Sequence, residues 1–145
     1  MNDISLWIIV PCYNEEEAIT ESSKLLLDKI KNLENKELIN RNSRILFVND
    51  GSTDKTWELI LELSKKDNHF VGISQSRNFG HQNAVLAGLM EARSRCHITI
   101  TMDCDGQDDF DAIDEMIYAY QNGYEVVYGV RSNRKKRFIF KKEYS

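Results

Sequence analysis

Asp103 and Asp105 stand two residues apart directly after the run Ile98-Thr99-Ile100-Thr101-Met102. In an extended chain, residues two apart point to the same side, so both carboxylates can converge on one point. Converging carboxylates repel each other unless a cation lies between them. A few hard oxygen ligands with coordination places to spare suit Mg²⁺ or Mn²⁺ bound together with substrate phosphates. Gln107, again two residues on, adds a neutral oxygen to that set. The plainer reading is that acids after a strand cap the following helix, a role that Asp108 and Asp109 can fill without the other two. A calcium loop begins in a similar way, but its twelfth position here is Asp114 rather than Glu, and a strand precedes it.

Two more stretches could complete a site for a nucleotide. Asp50 lies before Gly51 and can accept a hydrogen bond from a base or ribose; taken alone, Asn49-Asp50-Gly51-Ser52-Thr53-Asp54 is equally a turn with a helix cap. Tyr13 can stack on a base and Glu15 can accept from a ribose or base edge, although Glu15, Glu16 and Glu17 also complement a helix dipole. Arg77 is the cation placed nearest the expected phosphates, with an ordinary surface arginine as the alternative. Neither a Gly-x-Gly-x-x-Gly fingerprint nor a Walker loop occurs among the 7 glycines, so phosphates must be neutralised mainly by metal and arginine. His81 and His97 lack metal-ligand spacing, and His69 precedes a strand on the side away from the site, so none of the three receives a role.

All of these groups fall just after apolar runs. The pattern predicts strands at 6–10, 44–48, 70–74, 97–102 and 125–130, alternating with helices at 15–33, 53–64, 81–93 and 110–121. Pro11, the only proline, stops the first strand; Asn14, with Glu17 three residues later, is placed to cap the first helix. The segment 32–42 reads as a surface loop. Strands rich in Ile and Val on both faces, each followed by a helix, need right-handed crossovers. The expected fold is therefore α/β, a doubly wound, mostly parallel sheet with helices on both faces. In such sheets ligands bind beyond the carboxyl ends of the strands, where these residues stand.

The chain has 145 residues, 41% hydrophobic and 29% charged, as one globular domain would have. Cys12, Cys96 and Cys104 are an odd number in apolar segments and read as free buried thiols in a reducing compartment, the cytoplasm. No signal peptide or membrane span is read. The formal charge is -4, yet the last fifteen residues carry seven basic side chains and one acid. An acidic body argues against nucleic acid as a partner, whereas the tail suits phosphates or an anionic membrane surface. The boundaries are set at 1–130 for the α/β domain and 131–145 for the basic tail.

Five motifs in order, Val10-Pro11-Cys12-Tyr13-Asn14-Glu15-Glu16, Val48-Asn49-Asp50-Gly51-Ser52-Thr53-Asp54, Ser76-Arg77-Asn78-Phe79-Gly80, Met102-Asp103-Cys104-Asp105-Gly106-Gln107-Asp108 and Val127-Tyr128-Gly129-Val130-Arg131, resemble inverting family 2 glycosyltransferases. The chain looks most like the polyprenyl-phosphate sugar transferases of the dolichyl-phosphate and undecaprenyl-phosphate type. The resemblance implies a GT-A-like fold and a UDP- or GDP-sugar donor. It puts Pro11, Tyr13, Glu15 and Asp50 around the nucleoside, with Asn14 in the same substrate-binding motif. Asp103, Asp105 and Gln107 then surround Mg²⁺ or Mn²⁺ and the diphosphate. Arg131 matches an arginine that faces the acceptor phosphate, with Arg134 near it, which makes Asp103, Asp105 and Arg131 the catalytic set. Gly106 and Phe110 depart from the family, which usually has an apolar residue and then a proline after the second aspartate. Relatives continue well beyond residue 145, so the chain is expected to be the donor-binding part of a longer protein at the cytoplasmic face of the membrane.

The expected activity is transfer of a sugar from a nucleotide diphosphate to a polyprenyl phosphate. Two alternatives are a nucleotide-sugar-binding module without turnover and a family 2 transferase with a saccharide acceptor in polysaccharide synthesis. An aspartate-nucleophile phosphatase shares Asp-x-Asp-Gly after a strand, but that motif belongs on the first strand and wants Thr or Val where Gln107 stands.

Overall fold

The first strand, β1 (Leu6–Cys12), is buried along its whole length, as expected of a central parallel strand whose two faces both meet helices. It pairs in parallel with β2 (Arg44–Asn49) on one side and β4 (Ile98–Thr101) on the other, and β2 pairs in parallel with β3 (Phe70–Ser74). The strand order is β3-β2-β1-β4. The computed structural model describes residues 3–105, 109–124, 126–132 and 135–141.

Alternation along the strands gives the sheet two apolar faces. Trp7, Ile9, Leu46 and Val48 pack with Ala84 and Ala92 of α3 (His81–Ala92). Gly88 of that helix lies against the sheet so closely that an added Cβ would come within 2.5 Å of Ile9 Cγ2 and 3.1 Å of Val48 Cγ2. The opposite parity, with Phe47 stacked on Phe70 at 5.9 Å, belongs to the side of α2 (Thr56–Lys66), where Gly72 leaves room for Ile60 and Trp57.

Helix α1 (Ile19–Asn35) buries Ile19, Ser22, Leu26, Ile30 and Leu33 at helical spacing. It starts four residues later than the predicted start. Asn14 does not cap it; the helix enters through Ala18 without a side-chain cap, and the N–H groups of Ala18 and Ile19 donate to the Glu15 carbonyl. At the other end Glu37 has φ +59, and the Leu38 N–H returns to the Leu33 carbonyl at 3.0 Å, closing the helix with a left-handed turn. That turn points Leu38 and Ile39 inward, so the connection is not wholly the expected surface loop, and the buried Ser43 hydroxyl accepts the Leu6 N–H.

The chain divides into two compact units, 1–108 and 109–145. The second holds α4 (Asp111–Gln121), which buries Ala112, Ile113 and Ile117, and the strands β5 (Val126–Ser132) and β6 (Lys135–Lys141). The fifth predicted strand thus forms a separate antiparallel hairpin with β6, in register from Val126↔Lys141 to Ser132↔Lys135, rather than extending the parallel sheet. The basic residues of 135–141 disguised β6, because strand signals weigh apolar alternation and this segment is mostly Lys and Arg.

Candidate donor site

The site is built where β1, β2 and β4 end. Pro11, Tyr13 and Glu15 from the end of β1, Asp50 from the end of β2, and Asp103 with Asp105 from the end of β4 line one cleft of about 330 Å³, a volume within the range of small-molecule sites. Three stretches far apart in sequence, each selected for its residue types, therefore converge.

Local hydrogen bonds explain how the loops hold this arrangement. Asn14, at φ +50, accepts the Thr53 N–H at 2.8 Å while its own N–H donates to the Ser52 hydroxyl at 3.0 Å. The Glu15 N–H donates to the Thr56 hydroxyl at 2.8 Å, and that hydroxyl donates to Asp54 Oδ1 at 2.5 Å. Residues 14–16 are thus fastened to residues 52–56. Asn14 is a clasp between two loops and is not among the cleft's lining. Gly51 has φ +66, and an added Cβ there would lie 2.3 Å from the backbone of Arg77 and Asn78. Only glycine lets the 77–80 loop cross at that point.

Asp50 is buried, its N–H donates to the Cys12 carbonyl at 2.8 Å, and its Oδ1 accepts the Phe79 N–H at 2.8 Å. It is both a structural anchor for the third loop and a member of the cleft. Arg77 is exposed, with its guanidinium 4.2 Å from the centroid of the Phe79 ring, and it is not among the lining. Asp109 accepts the Asp111 N–H at 3.0 Å, so the capping work expected near α4 falls to it, while Asp103 and Asp105 face the cleft.

Gln107 and Arg134 lie outside the described residues. Arg131 stands in β5 opposite Lys136. Cleft members that the sequence did not single out are Asn78, Gly80 and His81, at the entry to α3, together with Cys12 and Cys104. Their signal was position: they follow strand ends as the chosen residues do, whereas His81 was set aside for lacking metal-ligand spacing.

The cleft is strongly acidic. Burial pushes the Glu15 carboxyl up, and Asp105, Asp54 and Asp103 push it further. Burial also nudges Asp54 upward, but the hydroxyl and N–H of Thr56 and the N–H of Glu16 outweigh it and hold this carboxyl below its ordinary value. The Cys104 thiol, then burial, raise Cys12 well above the usual thiol range. Among the described residues no three His, Cys, Asp or Glu side chains are arranged to hold a metal by themselves. The paired carboxylates suit an ion that completes its shell from a ligand.

The glycosyl transferase family 2 profile matches residues 7–144. The chain belongs to that family. An uncharacterized glycosyltransferase of Bacillus subtilis (strain 168), YkoT, is 44% identical over 137 residues, covering 94% of this chain and 41% of its own length. The undecaprenyl-phosphate 4-deoxy-4-formamido-L-arabinose transferase of Proteus mirabilis (strain HI4320) is 30% identical over 135 residues, 92% of this chain and 39% of its own. This family 2 domain thus spans about two fifths of the curated relatives it matches. Among solved structures, the mannosyltransferase PcManGT from Pyrobaculum calidifontis, in complex with GDP-Man and Mn²⁺, aligns with a TM-score of 0.57 at 22% identity, over 72% of this chain and 28% of that one. The fold is GT-A-like, with a four-stranded parallel sheet at its centre.

Proposed function

We propose that this family 2 glycosyltransferase domain binds a UDP- or GDP-sugar with Mg²⁺ or Mn²⁺ and serves transfer of the sugar to a polyprenyl phosphate. The observation that carries the reading is the convergence of Tyr13, Glu15, Asp50, Asp103 and Asp105 from three strand ends in one cleft. The undecaprenyl-phosphate relative supports the lipid acceptor, and the neighbour solved with GDP-Man and Mn²⁺ supports the donor and the ion.

Tyr13 stacks on the base, while Glu15 and Asp50 accept from the nucleoside beside Pro11. Asp103 and Asp105, with Gln107, hold the divalent cation, which when bound neutralises the leaving diphosphate. An acceptor phosphate is already anionic, so the chain needs positioning more than a strong general base. Arg131 and Arg134 pair with that phosphate, the 131–145 segment beginning the acceptor side. Among the described residues no helix is long and apolar enough to cross a membrane, and the contact with a membrane face is assigned to the basic tail.

Calorimetry with UDP and GDP, with Mn²⁺ or with chelator, tests the donor half. Without cation the diphosphate meets the carboxylates of Glu15, Asp50, Asp103 and Asp105 directly, so affinity is expected to fall by at least about tenfold, or 1.4 kcal/mol. Asp105→Asn is expected to remove most of the metal dependence. Affinity unchanged by chelator would overturn the metal assignment. Transfer assays with polyprenyl phosphate and with saccharides, on a protein of the relatives' length, decide the acceptor.

A further inference from the structure

His81 has no part in the reading above, yet among the described residues it is the one side chain bordering the cleft that can carry a positive charge. The sequence left the phosphates to metal and arginine. The structure withdraws the arginine: Arg77 lies over the Phe79 ring and outside the lining. The charged groups that remain are the carboxylates of Glu15, Asp50, Asp103 and Asp105. A divalent cation held by Asp103 and Asp105 is balanced by those two charges alone. The anionic phosphates of a nucleotide diphosphate are then left beside Glu15 and Asp50, where like charges close together are costly. Phosphate oxygens in that position gain most from an N–H donor supplied by the protein.

The fold delivers such a donor. All four strands of the sheet run the same way, so α3 must run back between the end of β3 and the start of β4. His81 is its first residue and therefore stands at the carboxyl ends of the strands, while Gly88, about two turns on, lies against Ile9 of β1 and Val48 of β2. The stretch that carries His81 is pinned. The Phe79 N–H donates to Asp50 Oδ1 at 2.8 Å, the Gly80 N–H to Asn78 Oδ1 at 2.8 Å, and Asn83 Nδ2 to the Phe79 carbonyl at 2.6 Å. Gly80 itself, at φ +96, faces open space, with nothing within 4 Å of an added Cβ, so there is room beside the histidine for a ligand group. The imidazole is exposed and has no hydrogen bond or ion pair among the described residues. Its donor is unspent where those of its neighbours are committed.

We propose that His81 donates an imidazole N–H to the diphosphate of the bound nucleotide, the contact that Arg77 does not make. This contact rests on the nucleotide reading of the cleft and gives its phosphates a protein partner besides the cation. Neutral imidazole and imidazolium both keep an N–H, so the contact does not wait on protonation. A hydrogen bond to a charged acceptor is worth more than one between neutral groups, and its loss is expected to weaken diphosphate binding by at least about tenfold. The nucleoside end of the ligand, held by other residues, is expected to be indifferent to it.

Calorimetry on the 145-residue chain with UDP, GDP, uridine, guanosine and inorganic pyrophosphate, each with Mn²⁺, tests the contact. In His81→Ala, affinity for pyrophosphate and for the nucleoside diphosphate that the parent binds is expected to fall by at least about tenfold, while nucleoside affinity and melting temperature hold. His81→Arg, which keeps an N–H donor, is expected to restore most of the diphosphate affinity, and Arg77→Ala is expected to lose less than His81→Ala. A His81→Ala chain that binds diphosphate and pyrophosphate as the parent does, or that loses nucleoside affinity by the same factor, would overturn the contact and leave the donor reading in place. A greater loss in Arg77→Ala would return the role to the arginine and overturn it equally. If the parent binds neither nucleoside diphosphate nor pyrophosphate, the donor reading itself fails, and the contact with it.

Discussion

Asp50 is the residue at which structure and ligand compete for one side chain. One carboxylate oxygen is committed to the Phe79 N–H, and the residue borders the cleft as well. The turn reading is thus met by the contact with Phe79, while the ligand reading, proposed above, asks for the same side chain. Two substitutions separate them. Asp50→Asn keeps an oxygen for Phe79 and removes the charge, so the melting temperature is expected to hold while nucleotide affinity falls by ~1–3 kcal/mol. Asp50→Ala leaves the Phe79 N–H without its acceptor and opens a gap at a buried residue, and both quantities are expected to fall. Calorimetry beside thermal denaturation checks the pair; an Asp50→Asn protein that binds nucleotide normally would leave Asp50 with its structural role alone.

At the scale of elements, Gly88 governs how near α3 lies to the sheet, because a side chain there meets Ile9 and Val48. Gly88→Val is expected to cost about 1–3 kcal/mol by overpacking, read as a lower midpoint in urea with little change in slope. The elements themselves were largely legible: all four helices and the first five strands stand near their predicted places, most plainly β1 and β2, whose apolar runs are the buried centre of the sheet. What failed were features that depend on partners distant in sequence. Asn14 has the type of a helix cap, but its carbonyl oxygen is taken by Thr53 across the neighbouring loop. Leu25 fits the helical period and is nonetheless 43% exposed, because the apolar stripe of α1 runs through Leu26 and Ile30. The site was legible through the rule that ligands gather at strand ends, and His81 was missed because a histidine was asked only for metal spacing. The bracing of β3 was missed for another reason, that His69 precedes its strand on the side away from the site: both ring nitrogens of His69 face carboxylates at 2.6 Å, Asp67 on one side and Glu34 on the other. Burial pushes the Asp67 carboxyl up, but the N–H and imidazole of His69 and then Lys31 outweigh it, and the group sits below its ordinary value. A lowered folded-state pKa gives stability that is present above the unfolded value, about 3.9, and lost as the pH falls through the folded one. Asp67→Asn is expected to be less stable than the parent by about 1 kcal/mol at pH 7, a partly exposed group being screened, with the gap closing below about pH 4. A pH-independent gap would assign the effect to packing.

Over the whole molecule charge is divided unevenly, and that division makes a prediction of its own. The formal charge of -4 conceals an acidic body and a tail with seven basic residues among its last fifteen. Hairpin β5–β6 brings part of the tail together: Lys136 stands opposite Arg131, and Lys135 opposite Ser132. Phe138, Ile139 and Phe140 follow between Arg137 and Lys141, so a block of three apolar residues is flanked by cations along one strand, a composition suited to an anionic lipid surface. Each basic residue near such a surface contributes ~1 kcal/mol where salt does not screen it. A solvated terminus makes the opposite prediction, since nothing would then distinguish lipid from water. The chain is expected to co-sediment with anionic vesicles at low salt, to ignore neutral ones, and to be released as the Debye length shrinks to about 8 Å at physiological ionic strength. Replacing Lys135, Lys136 and Arg137 with Ala is expected to weaken vesicle binding by up to ~3 kcal/mol, about a hundredfold, while nucleotide binding, whose proposed donor residues all belong to the first unit, is unchanged. No association with anionic vesicles at any salt would remove the surface role and leave the tail only its proposed contacts to an acceptor phosphate, Arg131 and Arg134.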